Sequence, residues 1–194
     1  MSKHLLLLLF FLGLTLSASA QSIDLAVLGG GYLPVHQSAS VGKAAAIEGN
    51  IGVRFFHVPF VGLYAELPVM GTLDTKITSS SALLNTGTYS ALFIAPGLRA
   101  KIAAAFPVSP YFAVGGGWAR FHKSAQLASS SGTSQSTTSG VFDMAAGLDF
   151  KFAPFLGGRI EIRDFYSGSL FPTIADLSQR QHNIFAGAGL VVRF

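Results

Sequence analysis

Several short stretches carry charged residues at alternate positions, a spacing that could do chemistry. "GRIEIRDFY" places Arg159, Glu161 and Arg163 on one parity, and "DMAAGLDFK" does the same for Asp143, Asp149 and Lys151. Arg99 and Lys101 share a parity in "GLRAKI", as do Glu48 and Arg54 in "IEGNIGVR"; Asp24, Glu66 and Arg193 continue the pattern elsewhere. Period two puts such residues on one face of a β-strand. If the strands gather into one sheet, six acids meet seven bases on a single face. That set could form an ion path, an acid–base site or a paired network. Charges withdrawn from water need partners, and the near-even count suits a network that fills and holds an interior. Glu48, Glu66, Arg99, Asp143, Glu161 and Arg163 are its expected core.

Nucleophilic chemistry has one candidate. Ser167, His182 and Asp176 flank a late loop, and a triad is defined by geometry rather than chain order. His36, His122 and His182 could in principle bind a metal, but they lack ligand spacing. The chain has no cysteine, which removes thiol chemistry and cysteine-ligated metals. The bases are scattered and form no run of the kind that grips nucleic acid. No catalytic residue, cofactor or metal is expected.

Eight amphipathic segments must position these charges: 22–33, 44–56, 60–70, 89–103, 109–122, 139–153, 156–167 and 182–194. Each alternates with period two over roughly ten residues, enough for a tilted strand to cross a bilayer. The connections alternate in length. Those after the first, third, fifth and seventh segments are longer, and the rest are short turns such as "HVP" and "APFLG". The Ser/Thr-rich stretch 124–140 reads as a solvated loop. The two Gly-Gly-Gly runs fall within strands and are expected to relieve crowding or mark bends.

The face opposite the charges is bulky and apolar: Ile47, Ile51, Leu92, Leu98, Phe142, Leu148, Ile160, Ile162 and Leu190 among others. A soluble barrel would bury that face. An eight-stranded interior only just holds its own side chains, and so many Phe, Ile and Leu would overpack it. The polarity is therefore inverted, with apolar residues outward and charges inward. In hydrocarbon every backbone N–H and C=O must pair within the protein, so the sheet must close. The expected fold is all-β: an eight-stranded antiparallel up-and-down transmembrane β-barrel. Aromatic belts are expected at both rims. Phe55, Phe56, Phe60, Phe106, Phe112, Phe152, Phe155 and Phe194 belong to the turn side; Tyr32, Tyr89, Trp118, Phe121 and Tyr166 belong to the loop side. Within strand six, Leu148 should face lipid and Gly147 the lumen, where a serine should be milder than an arginine at Leu148.

Composition agrees. Half the residues are hydrophobic, only 11% are charged, and there are 22 glycines. That is too apolar for an ordinary soluble domain and too interrupted for helical spans. The opening "MSKHLLLLLFFLGLTLSASA" has a basic start, an apolar run and a small-residue end, the three parts of a secretory signal peptide. Residues 1–20 are expected to be removed, leaving 21–194 as the barrel domain.

Together the signal, the eight strands and the terminal "GAGLVVRF" resemble the small outer-membrane β-barrel proteins of Gram-negative bacteria, similar to the transmembrane domain of outer-membrane protein A. The resemblance implies residence in the cell outer membrane, contact with outer-membrane lipid and a monomeric state. It also implies that Leu190, Val192 and Phe194 form an insertion signal read by the barrel-assembly machinery. The implied role is structural or surface-interacting, without catalysis. Two alternatives stay open: a lipid A-modifying enzyme or a narrow channel. The deacylases of that class carry a His-x-Ser pair on a late strand, whereas "IRDFYSGS" has no histidine.

Overall fold

Strict in–out alternation governs almost every segment of the computed structural model, which describes residues 23–35, 43–58, 60–73, 75–77, 87–104, 106–127, 130–168 and 181–194. The proposed signal segment, His36 and Asp176 lie outside the described residues. Strands β1 (Ile23–Val35), β2 (Ala44–Val58), β3 (Val61–Thr72), β4 (Thr75–Ile77), β5 (Gly87–Ile94), β6 (Gly97–Ile102), β7 (Val108–Leu127), β8 (Ser130–Lys151), β9 (Leu156–Ser167) and β10 (Gln181–Arg193) follow in order. Among the described residues there is no helix.

β5 and β6 are two halves of one wall strand. Both pair with β3 and β7 in an unbroken register, Ile94 opposite Val69 and Trp118, Gly97 opposite Glu66 and Gly115. The ladder lapses at Pro96, which has no N–H to contribute. With this pair merged, and β4 set aside as a short outlier on β5, eight antiparallel strands run up and down. β1 pairs with β10, from Asp24 opposite Arg193 to Val35 opposite His182, and closes the barrel.

The register sets the shape. Moving across the ladders from Asp24, the partners are Gly52, Glu66, Gly97, Gly115, Asp143, Phe165 and Asn183. The path re-enters β1 at Pro34, having climbed from residue 24 to residue 34. For eight strands that stagger of ten corresponds to a tilt of about 40° and a lumen that side chains fill.

The exterior is apolar. Val27 is 63% exposed, and Ile47, Leu98, Ile160, Ile162 and Leu190 are likewise exposed. In water this belt would be a severe aggregation liability; in hydrocarbon it is solvated. Phe55, Phe56, Phe60, Phe106, Phe112, Phe152, Phe155 and Phe194 are all exposed around the short-turn side, and Trp118 stands out at the other. Phe55 is the extra residue of a bulge between Arg54 and Phe56, which brings two neighbouring rings to the rim. The turn after β6 carries the one non-glycine residue of positive φ among those described, Ala103 at 53°. The Ser109 hydroxyl donates to the carbonyls of Ala103 (2.8 Å) and Phe106 (3.4 Å), holding this turn against the wall.

Two expectations fail. Tyr32 and Phe121 do not join the loop-side belt; both are buried in the lumen. Their parity decides it, because Tyr32 alternates in step with Asp24 and Leu28, and Phe121 with Tyr111 and Ala119. The Tyr89 side chain lies outside the description. The stretch 124–140 is largely strand rather than loop. β7 and β8 continue as a ladder as far as Leu127 opposite Ser130, and β5 flanks β7 up to Gly87 opposite Ala125. Low complexity describes composition, not conformation: Thr favours extended backbone, and no proline interrupts the run. One side of the barrel is thus raised into a wall of β4, β5, β7 and β8.

Candidate functional site: a two-storey lumen

The inward residues separate by height. Toward the short turns and the middle they are ionic, and toward the loops they are aromatic. Six acids (Asp24, Glu48, Glu66, Asp143, Asp149, Glu161) and four bases (Arg99, Lys101, Arg159, Arg163) are buried. The expected seven bases shrink because Arg54 and Arg193 are only partly buried and Lys151 is exposed, all three at the turn-side rim.

Arg163 is the central cation. Its guanidinium meets Asp143 and Glu161 at 2.6 Å, Glu66 at 3.0 Å and Glu48 at 3.5 Å. Arg99 approaches Glu66 at 3.7 Å and pairs with Asp24 at 3.0 Å. The structure therefore gathers Glu48, Glu66, Arg99, Asp143, Glu161 and Arg163 from several wall strands into one cluster. Asn50 donates to Glu66 (3.3 Å), and the Tyr111 hydroxyl donates to Glu161.

Below this cluster lies a second group. Asp149 holds Lys101 (2.5 Å), Arg159 (2.7 Å) and Arg193 (3.5 Å), and Asp24 holds Lys101 at 3.2 Å. Tyr64 and Tyr111 act as flat spacers. The Arg99 guanidinium sits 4.6 Å from the Tyr64 ring centre and that of Arg159 sits 4.8 Å from the Tyr111 ring centre. The charge balance changes with height: four carboxylates surround Arg163, whereas cations outnumber acids at the mouth.

The loop-side storey is a plug. Phe93 stacks on Phe165 with ring centres 4.7 Å apart, meets Phe121 edge-on at 5.6 Å and faces Tyr32 at 6.1 Å. Leu28, Met70 and Phe185 complete it, all fully buried. A polar seam runs beside it: Tyr32 donates to Asn183 Oδ1 (2.6 Å), Gln181 donates to the same oxygen (2.7 Å), and Asn183 donates to Ser167 Oγ (3.0 Å). Reading charge alone missed this plug. The signal was present: Phe93, Phe165 and Phe185 share parity with Arg99, Arg163 and Asn183.

The triad does not assemble. Ser167 is buried in the lumen, whereas His182 is exposed on the outer face, where its Nδ1 lies 2.6 Å from Asp164 and its ring 4.8 Å from that of Tyr166. Period two forces the separation, since Ser167 pairs with Gln181 and His182 with Tyr166. Among the described residues no cluster of His, Asp and Glu has metal-binding geometry. Leu190 and Phe194 are exposed on the outer face of β10, with Val192 partly so.

The inverted, closed, side-chain-filled barrel defines the class: an eight-stranded barrel of the outer-membrane type. Solved structures share this fold. Neisserial surface protein A aligns over 90% of this chain and 97% of its own, at 14% identity and a TM-score of 0.52. The attachment invasion locus protein Ail of Yersinia pestis aligns over the same shares at 16% identity and a TM-score of 0.51. A major outer membrane protein of Thermus thermophilus aligns over 90% of this chain and all of its own, at 9% identity and a TM-score of 0.58. At such identities the likeness is one of fold. No family model matches the chain, and no curated protein matches it.

Proposed function

We propose that this chain is a non-conducting, non-catalytic outer-membrane barrel that presents a raised β-wall to whatever lies beyond the membrane. The observation that carries the reading is the aromatic plug. Phe93, Phe121, Phe165 and Phe185, with Leu28 and Met70, cap the ion-paired lumen with an apolar layer, and the polar seam beside it is occupied by the mutually hydrogen-bonded Tyr32, Gln181, Asn183 and Ser167. A rigid filled barrel supports whatever its longest strands carry, and β7 and β8 run far past the apolar belt. The loop end faces outward and the short turns face the periplasm, the asymmetry usual in such barrels. Residues 1–20 direct export and are then removed, and the barrel works as a monomer among outer-membrane lipids. Outward Leu190, Val192 and Phe194 supply the surface that the assembly machinery reads.

The fold-sharing proteins support this reading, since two of those named above are a surface protein and an attachment protein. The enzyme alternative loses its one candidate when Ser167 and His182 take opposite faces. Planar-bilayer recording tests the proposal. Purified parent protein should show no steady open level, and Phe93→Ala/Phe165→Ala should introduce short openings. A steady large conductance from the parent would overturn it.

A further inference from the structure

The turn-side mouth contains a cavity of about 210 Å³, lined by Asp24, Lys101 and Asp149 on its inner side and by Arg54, Lys151 and Arg193 nearer the rim. We propose that it is an anion-binding site for a phosphate group, present either as free phosphate or as the headgroup of a phosphoglycerol lipid at the membrane edge.

Three observations support this. First, the local charge is unbalanced. Asp24 and Asp149 face six cations: Arg54, Arg99, Lys101, Lys151, Arg159 and Arg193. The two carboxylates pair with four of these, Asp24 with Arg99, Lys101 and, at 3.8 Å, Arg193, and Asp149 with Lys101, Arg159 and Arg193, which leaves only Asp24 Oδ1 without a hydrogen-bond donor. Among the described residues, neither Arg54 nor Lys151 has a carboxylate within ion-pairing distance. A chain-end carboxylate at Phe194 would still leave the mouth cationic.

Second, donors are left over. Arg193 Nη1 is shielded from solvent and has no hydrogen-bond acceptor. The donors open to the cavity are the Arg54 guanidinium and the Lys151 ammonium, which line it together with Arg193, and phosphate oxygens can accept charge-assisted hydrogen bonds from several such cations at once. Third, the outer lip is apolar. Ala104, Phe106, Pro154 and Phe194 line it, and Phe152 and Phe155 are exposed nearby. These rings lie at the level where headgroups meet acyl chains. A lipid phosphate could enter the cavity without its tails leaving the membrane, and a free phosphate could enter along the lumen axis.

Titration of the refolded barrel in zwitterionic micelles, at constant ionic strength, tests the site by amide NMR shifts. One arm adds inorganic phosphate and the other adds short-chain phosphatidylglycerol. The expected result is a saturable shift at Asp149, Lys151 and Arg193, with none at Arg120 on the opposite rim. Arg54→Gln/Lys151→Gln should weaken binding about tenfold or more, since it removes two charge-assisted contacts, and Arg120→Gln should leave it unchanged. Neither residue of the double variant belongs to the buried ion pairs, and heat-modifiable gel mobility verifies that the barrel still forms; Lys151→Gln alone serves as the milder variant. Response to both probes identifies the phosphate group itself as the ligand, and response to the lipid alone assigns the site to headgroups. No saturable shift with either probe, or equal affinity in parent and variants, overturns the proposal.

Discussion

Arg163→Met is the most informative single change. The substitution keeps an unbranched stem but removes the one guanidinium that four carboxylates share, at 2.6, 2.6, 3.0 and 3.5 Å. The side chain is fully buried, so solvent cannot replace it. Removing one partner of a buried pair costs about 3–5 kcal/mol, chiefly because the other charge is left uncompensated. Glu66 keeps Arg99 at 3.7 Å, and Glu161 keeps the Tyr111 hydroxyl. Glu48 and Asp143 lose the only cation recorded beside them among the described residues. The cost should therefore fall in the upper part of that range, about 4–5 kcal/mol. Arg163→Lys restores charge without the fork and should recover part of the loss. Arg163→Met/Asp143→Asn removes one stranded carboxylate and should recover about 1–2 kcal/mol. Urea unfolding from lipid vesicles measures all three, followed by gel mobility and by fluorescence of Trp118, the chain's single tryptophan. If Arg163→Met unfolds at the parent's midpoint with the parent's slope, the cluster is not a stabilising network and the reasoning fails.

The glycine runs offer an adjacent-residue test. A Cβ on Gly117 would lie 1.9 Å from the Ile94 carbonyl, whereas one on Gly116 meets nothing nearer than 3.6 Å; Gly117→Ala should cost on the order of 1–3 kcal/mol in the same titration and Gly116→Ala well under 1. Leu148→Arg, on the lipid face, should destabilise by about 2–4 kcal/mol near the midplane, and normal folding in vesicles would contradict the outward assignment. A cysteine at Ser134 should react with an impermeant thiol reagent on intact cells while one at Pro154 stays protected; the reverse pattern would invert the orientation.

Much of the barrel was legible because two-residue periodicity fixes which face each residue takes. Glu161, Arg163 and Phe165 on β9 must all point inward once any one of them does. Closure was legible too, since an apolar exterior cannot leave a strand edge open. What the pattern could not convey was height. Arg163 and Phe165 share a face but belong to different storeys, and only the stagger between strands decides which neighbours each one meets. The glycine environments were hidden for the same reason. Gly147 sits on the expected inner face, but a Cβ there would come within 2.5 Å of the Tyr111 ring. Serine at that position therefore meets a clash that parity alone did not reveal. The 124–140 hairpin was misread because serine and threonine suit loops and strands alike, and the deciding partner, β5, lies far away in sequence.

That hairpin bears on how the protein enters a membrane. One end of any barrel must be translocated through hydrocarbon during insertion, and its heaviest burden is desolvation. Residues 124–140 contain no charged side chain, and the β7–β8 ladder satisfies much of their backbone internally. Each lysine or arginine carried across the midplane would add about 2–4 kcal/mol to the crossing. The hairpin tip between residues 124 and 140 is free of that burden, although Lys76 of β4 and Lys123 of β7 flank it. The charge that the loop end must carry through hydrocarbon is thus set by the segments that flank the hairpin, Lys76 and Lys123 among them, and not by the long hairpin itself.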